Sequence, residues 1–328
     1  MVAESWVVFA DYSAYEHSNW DATSGEPKMY TVLGATGNIG SVVTKMLLEK
    51  GEKVRVVGRN AGRLQPYVQR GAEAFVGNIA DEAAMTQALS GVRAAFLMMP
   101  PGTSSPDYKA EQEHESDALS AAAKKSGLQY AVNLSSIGAQ APAGTGPILG
   151  QHQAEKKLNA IDKLNILHVR PAYFFENHLA AIGMIELMGM IGGALKADMQ
   201  VPQIATKDIG GFVAERLLKL DFSSKLTYEL LGQRDLSMNE TTAVIARALG
   251  KPDLRYVQFS YDQVEQFLVQ MGTPPKTATY YIEMFQGLNN GLVSATEPRA
   301  ANNTTLTSIE TFVKEVFLPA YQGKGVGA

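Results

Sequence analysis

The 328 residues suffice to bury the core of one large α/β domain with a smaller lobe attached. A formal charge of -4 with no basic stripe argues against a nucleic-acid partner, and the absence of cysteine excludes disulfides, thiolate catalysis and cysteine-based zinc sites. The apolar stretch 179–195 is interrupted by Glu186 and four glycines and is too short to span a bilayer, so no membrane role is expected and cytoplasm is the expected compartment.

Residues 1–28 carry both tryptophans, Trp6 and Trp20, among acidic and small residues, and lack the basic start and compact apolar run of a signal peptide. They read as an extension outside the core: a cloning remnant, an upstream translation start ahead of Met29, or a docking arm. The core opens with M-Y-T-V-L-G-A-T-G-N-I-G at 29–40. Residues 30–33 form an apolar run that predicts a buried strand, 41–50 place Val42, Val43, Met46 and Leu47 at helical spacing, and 53–57 read as a second strand. Between them Gly34 permits a sharp turn, Gly37 lets backbone N–H groups approach a phosphate, and Gly40 permits close packing of helix on strand. The positive end of the helix then faces the phosphates, and a strand–helix–strand unit of about thirty residues is the length dinucleotide binding needs.

Where an NAD-selective site places a carboxylate for the ribose, after the second strand, this chain has Gly58-Arg59-Asn60-Ala61-Gly62-Arg63. Arg59, with Arg63 nearby, offers guanidinium donors for a 2′-phosphate, which favours NADP(H) as cofactor over NAD. A third strand is expected at 74–77, followed by Asn78, placed either to contact adenine or to cap the helix that runs through Leu89. The apolar fourth strand, 94–99, ends at Met99 before Pro100-Pro101-Gly102, and its end should lie beside the cofactor, as ligands of parallel sheets do. After a helix at 109–126, the fifth strand, 128–133, delivers Ser135 and Ser136 to the same rim. There they either orient a nicotinamide or a substrate carbonyl, or bond their own backbone.

A helix over 151–161 carries His152, Glu155 and Lys156, and a sixth strand over 165–169 ends at Arg170-Pro171. Past 171 the regular alternation of strand and helix stops and capping-box patterns start at Ser237, Ser260 and Thr307, so the second half is expected to be mostly helical. The expected fold is α/β, a doubly wound parallel (Rossmann) sheet over 29–171, with a smaller helical lobe over 172–328.

G-A-T-G-N-I-G at 34–40, N-L-S-S-I-G-A at 133–139, H-x-x-E-x-x-L at 152–158 and V-R-P-A-Y-F-F-E-N at 169–177 carry a resemblance, joined less specifically by P-Q-I-A-T-K-D-I-G at 202–210 and L-L-G-Q-R-D-L-S at 230–237. Through them the chain resembles the NmrA-like, atypical short-chain dehydrogenase/reductase proteins, which include NADPH-dependent quinone and phenylpropanoid reductases and redox-sensing regulators. The resemblance implies Gly34, Thr36, Gly37, Asn38 and Ile39 as the phosphate loop and the C-terminal lobe as the substrate lobe. It also implies that 202–208 crosses back to the core, and that Tyr173, Phe174 and Asn177 lie near the pocket. The chain departs from carbonyl-reducing relatives in one respect: no tyrosine has a lysine four positions later. His152, with Lys156 one turn on, is the candidate proton donor, or else a packing residue beside a solvated or ribose-touching lysine.

His114, His168 and His178 lack metal-ligand spacing, so no metal is expected. Two functions fit these residues. One is an NADPH-dependent oxidoreductase passing hydride to a small apolar electrophile, a quinone or an activated carbonyl, across an apolar wall of 174–199 with Tyr280, Tyr281, Met284 and Phe285. The other is a non-catalytic NADP(H)-sensing protein whose shape is read by a protein partner. The choice between monomer and homodimer is left open.

Overall fold

The computed structural model describes residues 28–323, so the extension expected at the N-terminus, Lys28 excepted, lies outside the described residues. The first half alternates as β1 Met29–Leu33, α1 Asn38–Glu49, β2 Lys53–Gly58, α2 Ala61–Val68, β3 Glu73–Val76, α3 Glu82–Leu89, β4 Ala94–Leu97, α4 Tyr108–Lys125, β5 Tyr130–Leu134, α5 Ile148–Asn159 and β6 Asn165–Pro171. The second half runs β7 Tyr173–Phe174, α6 Ile182–Met188, β8 Ile191–Gly193, β9 Val201–Ile204, α7 Thr206–Lys219, β10 Lys225–Leu230, β11 Asp235–Leu236, α8 Met238–Leu249, β12 Tyr256–Gln258, α9 Tyr261–Gln270, α10 Pro275–Asn289, α11 Ile309–Phe312 and α12 Leu318–Tyr321.

Seven strands form one sheet in the order β10-β6-β5-β4-β1-β2-β3, every neighbouring pair parallel. Parallel sheets are buried on both faces, which is why their strands read as continuous apolar runs. Val32, Val56 and Phe96 point into one layer, against Val43 and Leu47 of α1 and Val213 and Leu217 of α7. Their successors Leu33, Val57 and Leu97 point into the other, against Met85 and Leu89 of α3 and Leu119 and Ala122 of α4. The chain winds outward from β1 through β2 and β3, then returns to the other side of β1 through β4. All carboxyl ends therefore share one rim, and the winding reverses between β1 and β4.

The alternation expected to stop after Pro171 resumes once. Helix α7 packs on α1, where a methyl group on Gly210 would stand 2.6 Å from the Val42 Cβ, and β10 then pairs with β6 as the seventh strand. The remaining elements enclose a further core that includes Phe175, Ile185, Leu236, Ile245, Phe312 and Phe317. Capping boxes form at Ser237 with Glu240 and at Ser260 with Gln263. The third expected box does not form, because Ser308 caps α11 by accepting from the Thr311 N–H, while the Thr307 hydroxyl donates to Asp208 at 2.6 Å.

Candidate functional site

The glycine turn stands at the centre of the rim, between the end of β1 and the start of α1. Gly34 adopts φ 61°, and a side chain there would press to within 2.7 Å of the Met98 sulfur. A methyl group on Gly40 would stand 2.3 Å from the Gly34 carbonyl oxygen, the close helix–strand approach that spacing requires. Gly40→Ala is therefore expected to lower stability by about 1–3 kcal/mol through overpacking, read as a lower Tm in thermal denaturation. Gly37 is different. Among the described residues a methyl group there would meet only the Gly34 oxygen, 3.4 Å away, and the residue is exposed. It is the N-cap of α1, and among the described residues no side chain caps the helix. The first-turn N–H groups thus face outward with the positive end of the helix behind them. Thr36 is half-buried and Asn38 exposed beside this opening, whereas the Ile39 side chain is buried in the core, leaving only its backbone to the loop.

Arg59 follows the end of β2 and is exposed. Asn60 caps α2 by accepting from the N–H groups of Gly62 and Arg63, and the Arg63 guanidinium reaches back to the Thr36 carbonyl at 3.4 Å. The Gly77 N–H bonds the Gly58 carbonyl at 3.1 Å, which sets Asn78 beside Arg59. The exposed Asn78 side chain accepts from the Ala80 N–H at 3.2 Å, while α3 is capped by Asp81. Both arginines and Asn78 therefore flank the opening of the glycine loop.

On the other side of β1, Met99 is buried after β4. Ser135, expected to face the cofactor, is buried and donates its hydroxyl to Glu155 at 2.5 Å, and its N–H is bound to the Val169 carbonyl. The half-buried Ser136 turns its hydroxyl onto the Ile137 carbonyl at 2.9 Å. The ring of His152 lies 2.8 Å from the Ala139 carbonyl through Nδ1. A carbonyl only accepts, so Nδ1 carries the proton and the neutral ring leaves Nε2 bare. Lys156 points into solvent; its neighbour Lys157 is the lysine held by side chains, on Ser116 and Asp117.

Beyond β6, Tyr173 is hydrogen-bonded to the exposed Asn177, and burial pushes its phenol up to about 12, so it stays protonated through the neutral range. Its ring packs on His178 at 5.6 Å, and His178 Nε2 donates to the Gln203 side-chain oxygen at 2.8 Å. Burial lowers the pKa of His178 and keeps it neutral. Phe174 packs on the main core. Of the expected wall, Tyr280 is buried edge-on to Tyr108, and Tyr281 stacks on the same ring at 6.1 Å.

The sequence pattern of the NmrA-like family matches residues 26–313. The chain belongs to this family. It is 27% identical over 259 residues to the NAD(P)H azoreductase of Xenophilus azovorans, covering 78% of this chain and 86% of that one. Its fold is similar to that of an NADPH-dependent quinone oxidoreductase from Escherichia coli complexed with NADPH, with a TM-score of 0.75, 21% identity, and coverage of 88% of this chain and all of the other. It is similar as well to the negative transcriptional regulator Nmra, with a TM-score of 0.65, 18% identity, and coverage of 92% and 99%.

In this NmrA-like chain several of the residues that carry the likeness tie segments together. Glu155, buried on α5, takes the Arg170 guanidinium on both oxygens, at 2.9 and 2.6 Å, in addition to the Ser135 hydroxyl. One carboxylate thus joins the loop after β5, helix α5 and the end of β6. Glu176 likewise accepts from the N–H and hydroxyl of Thr206 and so fastens the start of α7. Residue patterns named these positions, but their partners stand apart in the chain and meet only on folding.

Proposed function

We propose that the protein is an NADP(H)-dependent oxidoreductase that passes hydride to a small apolar electrophile, a quinone or an activated carbonyl. The observation that carries this reading is the uncapped start of α1 at an open glycine, with Arg59 and Arg63 beside it. Gly37 fits a pyrophosphate because a Cβ there would enter the opening rather than the protein. Thr36, Gly37, Asn38 and the Ile39 backbone would hold the phosphates, Arg59 the 2′-phosphate and Asn78 the adenine edge. Met99 would lie under the nicotinamide. When bound, the reduced nicotinamide supplies the hydride.

The chain's own part is to position and to exclude water. We assign the substrate side of the cleft to the lobe that follows Pro171, with Tyr173, Phe174 and Asn177 nearest and Ser136 at the edge. Tyr173, protonated near neutrality, can donate a hydrogen bond to an acceptor oxygen. His152 serves as an acid only as an imidazolium, because the neutral ring keeps its proton on the Ala139 carbonyl. Lys156, in solvent, does not assist it. A quinone suits such a site, since the hydroquinone anion takes its proton from water. The azoreductase activity in the name of the Xenophilus relative supports reduction of an extended electrophile, and NAD(P)H in that name supports the cofactor class.

The test mixes NADPH, then NADH, with the protein and follows reduced-nicotinamide absorbance against quinones, aldehydes and azo dyes. Protein-dependent consumption, faster with NADPH, is expected. Arg59→Glu should weaken NADPH by about 10- to 100-fold, the loss of a charge-assisted contact, with little change for NADH. Equal losses would remove Arg59 from the 2′-phosphate. Tight NADPH binding with no acceptor consumed would make the protein a cofactor sensor that answers to a protein partner.

A further inference from the structure

Past β4 the chain enters segment 100–107 directly beside the glycine turn, since a side chain on Gly34 would stand 2.7 Å from the Met98 sulfur. The near end of the segment is held by the Tyr108 hydroxyl, which donates to the Pro100 carbonyl at 3.1 Å. Its middle lies flat on the Tyr108 ring, where a methyl group on Gly102 would stand 2.1 Å from a ring carbon. Its far end is fastened to the other lobe. The Thr277 hydroxyl, on the first turn of α10, donates to the Ser105 carbonyl at 2.6 Å and accepts from the Tyr108 N–H at 3.3 Å. Tyr108 opens α4, so that N–H is one of the donors a helix start leaves without a partner inside the helix. Thr277 is fully buried, and Lys276 beside it pairs with Asp107. Helix α10 also grips the loop after β5. A methyl group on Gly146 would stand 2.2 Å from the Tyr280 carbonyl oxygen, and one on Gly287 would stand 2.8 Å from the Gly144 carbonyl oxygen.

We propose that Thr277 is a positioning residue for the dinucleotide: it holds segment 100–107 in one arrangement at the crevice between β1 and β4, and so makes α10 of the C-terminal lobe a part of the binding site. The inference rests on the nucleotide reading above. A segment ordered before its ligand arrives gives up less freedom on binding, so the ligand is held more tightly. Valine at 277 keeps the shape of the side chain and removes both hydrogen bonds, which leaves the ordering of 100–107 to be supplied by the ligand. In the sheet β4 lies on one side of β1 and β2 on the other, so the segment flanks the glycine turn away from Arg59. NADPH and NADH therefore lose affinity alike, unlike the loss expected of Arg59→Glu.

The experiment measures Kd for NADPH and NADH by nicotinamide fluorescence, well below Tm, in the unaltered protein, Thr277→Val and Thr277→Ser. Valine is expected to weaken both dinucleotides about 10-fold, the cost of ordering a short segment on binding. Serine keeps the hydroxyl and should bind both as the unaltered protein does. A contact that serves the fold alone lowers the Tm of the valine variant and leaves both Kd values in place, and that result would overturn the proposal. A loss confined to NADPH, or one that serine does not restore, would overturn it too. Should the valine variant fail to fold, amide hydrogen exchange in the unaltered protein decides. NADPH should slow exchange over 100–108 and over 275–283 together, and protection confined to the first stretch sinks the role of Thr277. Binding of neither dinucleotide by the unaltered protein sinks the nucleotide reading and this inference with it.

Discussion

Gly37→Val is expected to reduce NADPH affinity at least about 100-fold while leaving the protein folded. The backbone at Gly37 is ordinary extended chain, φ -91° and ψ 173°, which valine adopts without strain. The added Cβ meets, among the described residues, only the Gly34 oxygen at 3.4 Å, so the cost to the fold is that of a poorer N-cap, about 1 kcal/mol or less. Tm should fall by no more than about 4 °C. The branched carbons instead occupy the space in front of the α1 N–H groups, where a pyrophosphate would approach. Gly40→Ala separates the two roles of one motif, since its methyl group strikes backbone at 2.3 Å and injures the fold. Binding isotherms beside melting curves of the two variants check the pair. Unchanged NADPH affinity in Gly37→Val would remove the loop from the phosphates.

How much of this was legible in the sequence depends on the distance over which each feature is decided. The strands at the centre of the sheet were readable because both faces are buried, as in Ala94–Leu97, whose four residues are all buried. β10 was not. It is an edge strand, Lys225–Leu230, with Leu226 and Thr227 exposed, so it shows neither an apolar run nor clean alternation. Only pairing with β6 across the fold makes it a strand. Thr307 was misread for a similar reason: a capping box is a local pattern, and the distant Asp208 took its hydroxyl.

The candidate site divides along the same line. The glycine loop could be found because turn, approach and packing need three glycines at fixed spacing within one segment. The commitment of Ser135 could not, because its acceptor lies twenty residues on and is aimed by Arg170 from a different strand. The tautomer of His152 depends on a carbonyl thirteen residues back. His178, which packs on Tyr173, carries no local signal for that role, whereas its partner Gln203 lies in the 202–210 pattern whose return to the core the resemblance implies.

Glu155→Ala should be the most damaging single change at this site, costing about 3–5 kcal/mol, because it leaves the Arg170 guanidinium buried without its counter-charge. The side chains of the pair are 12% and 8% exposed, so water does not replace the lost carboxylate, and the Ser135 hydroxyl loses its acceptor as well. Tm should drop by roughly 10 °C. Replacing the whole group by apolar residues, Glu155→Leu with Arg170→Met and Ser135→Ala, should restore most of that loss, since a buried ion pair exchanged for well-packed carbon is close to neutral. Thermal denaturation of the single and triple variants tests this directly. Turnover adds the deciding comparison. If Glu155 ties the loop, helix and strand together, the single variant loses activity as it loses folded protein, and assays well below its Tm recover much of it. If Glu155 takes part in proton transfer, activity stays low even well below the Tm of the single variant, and the apolar triple variant is folded but inactive.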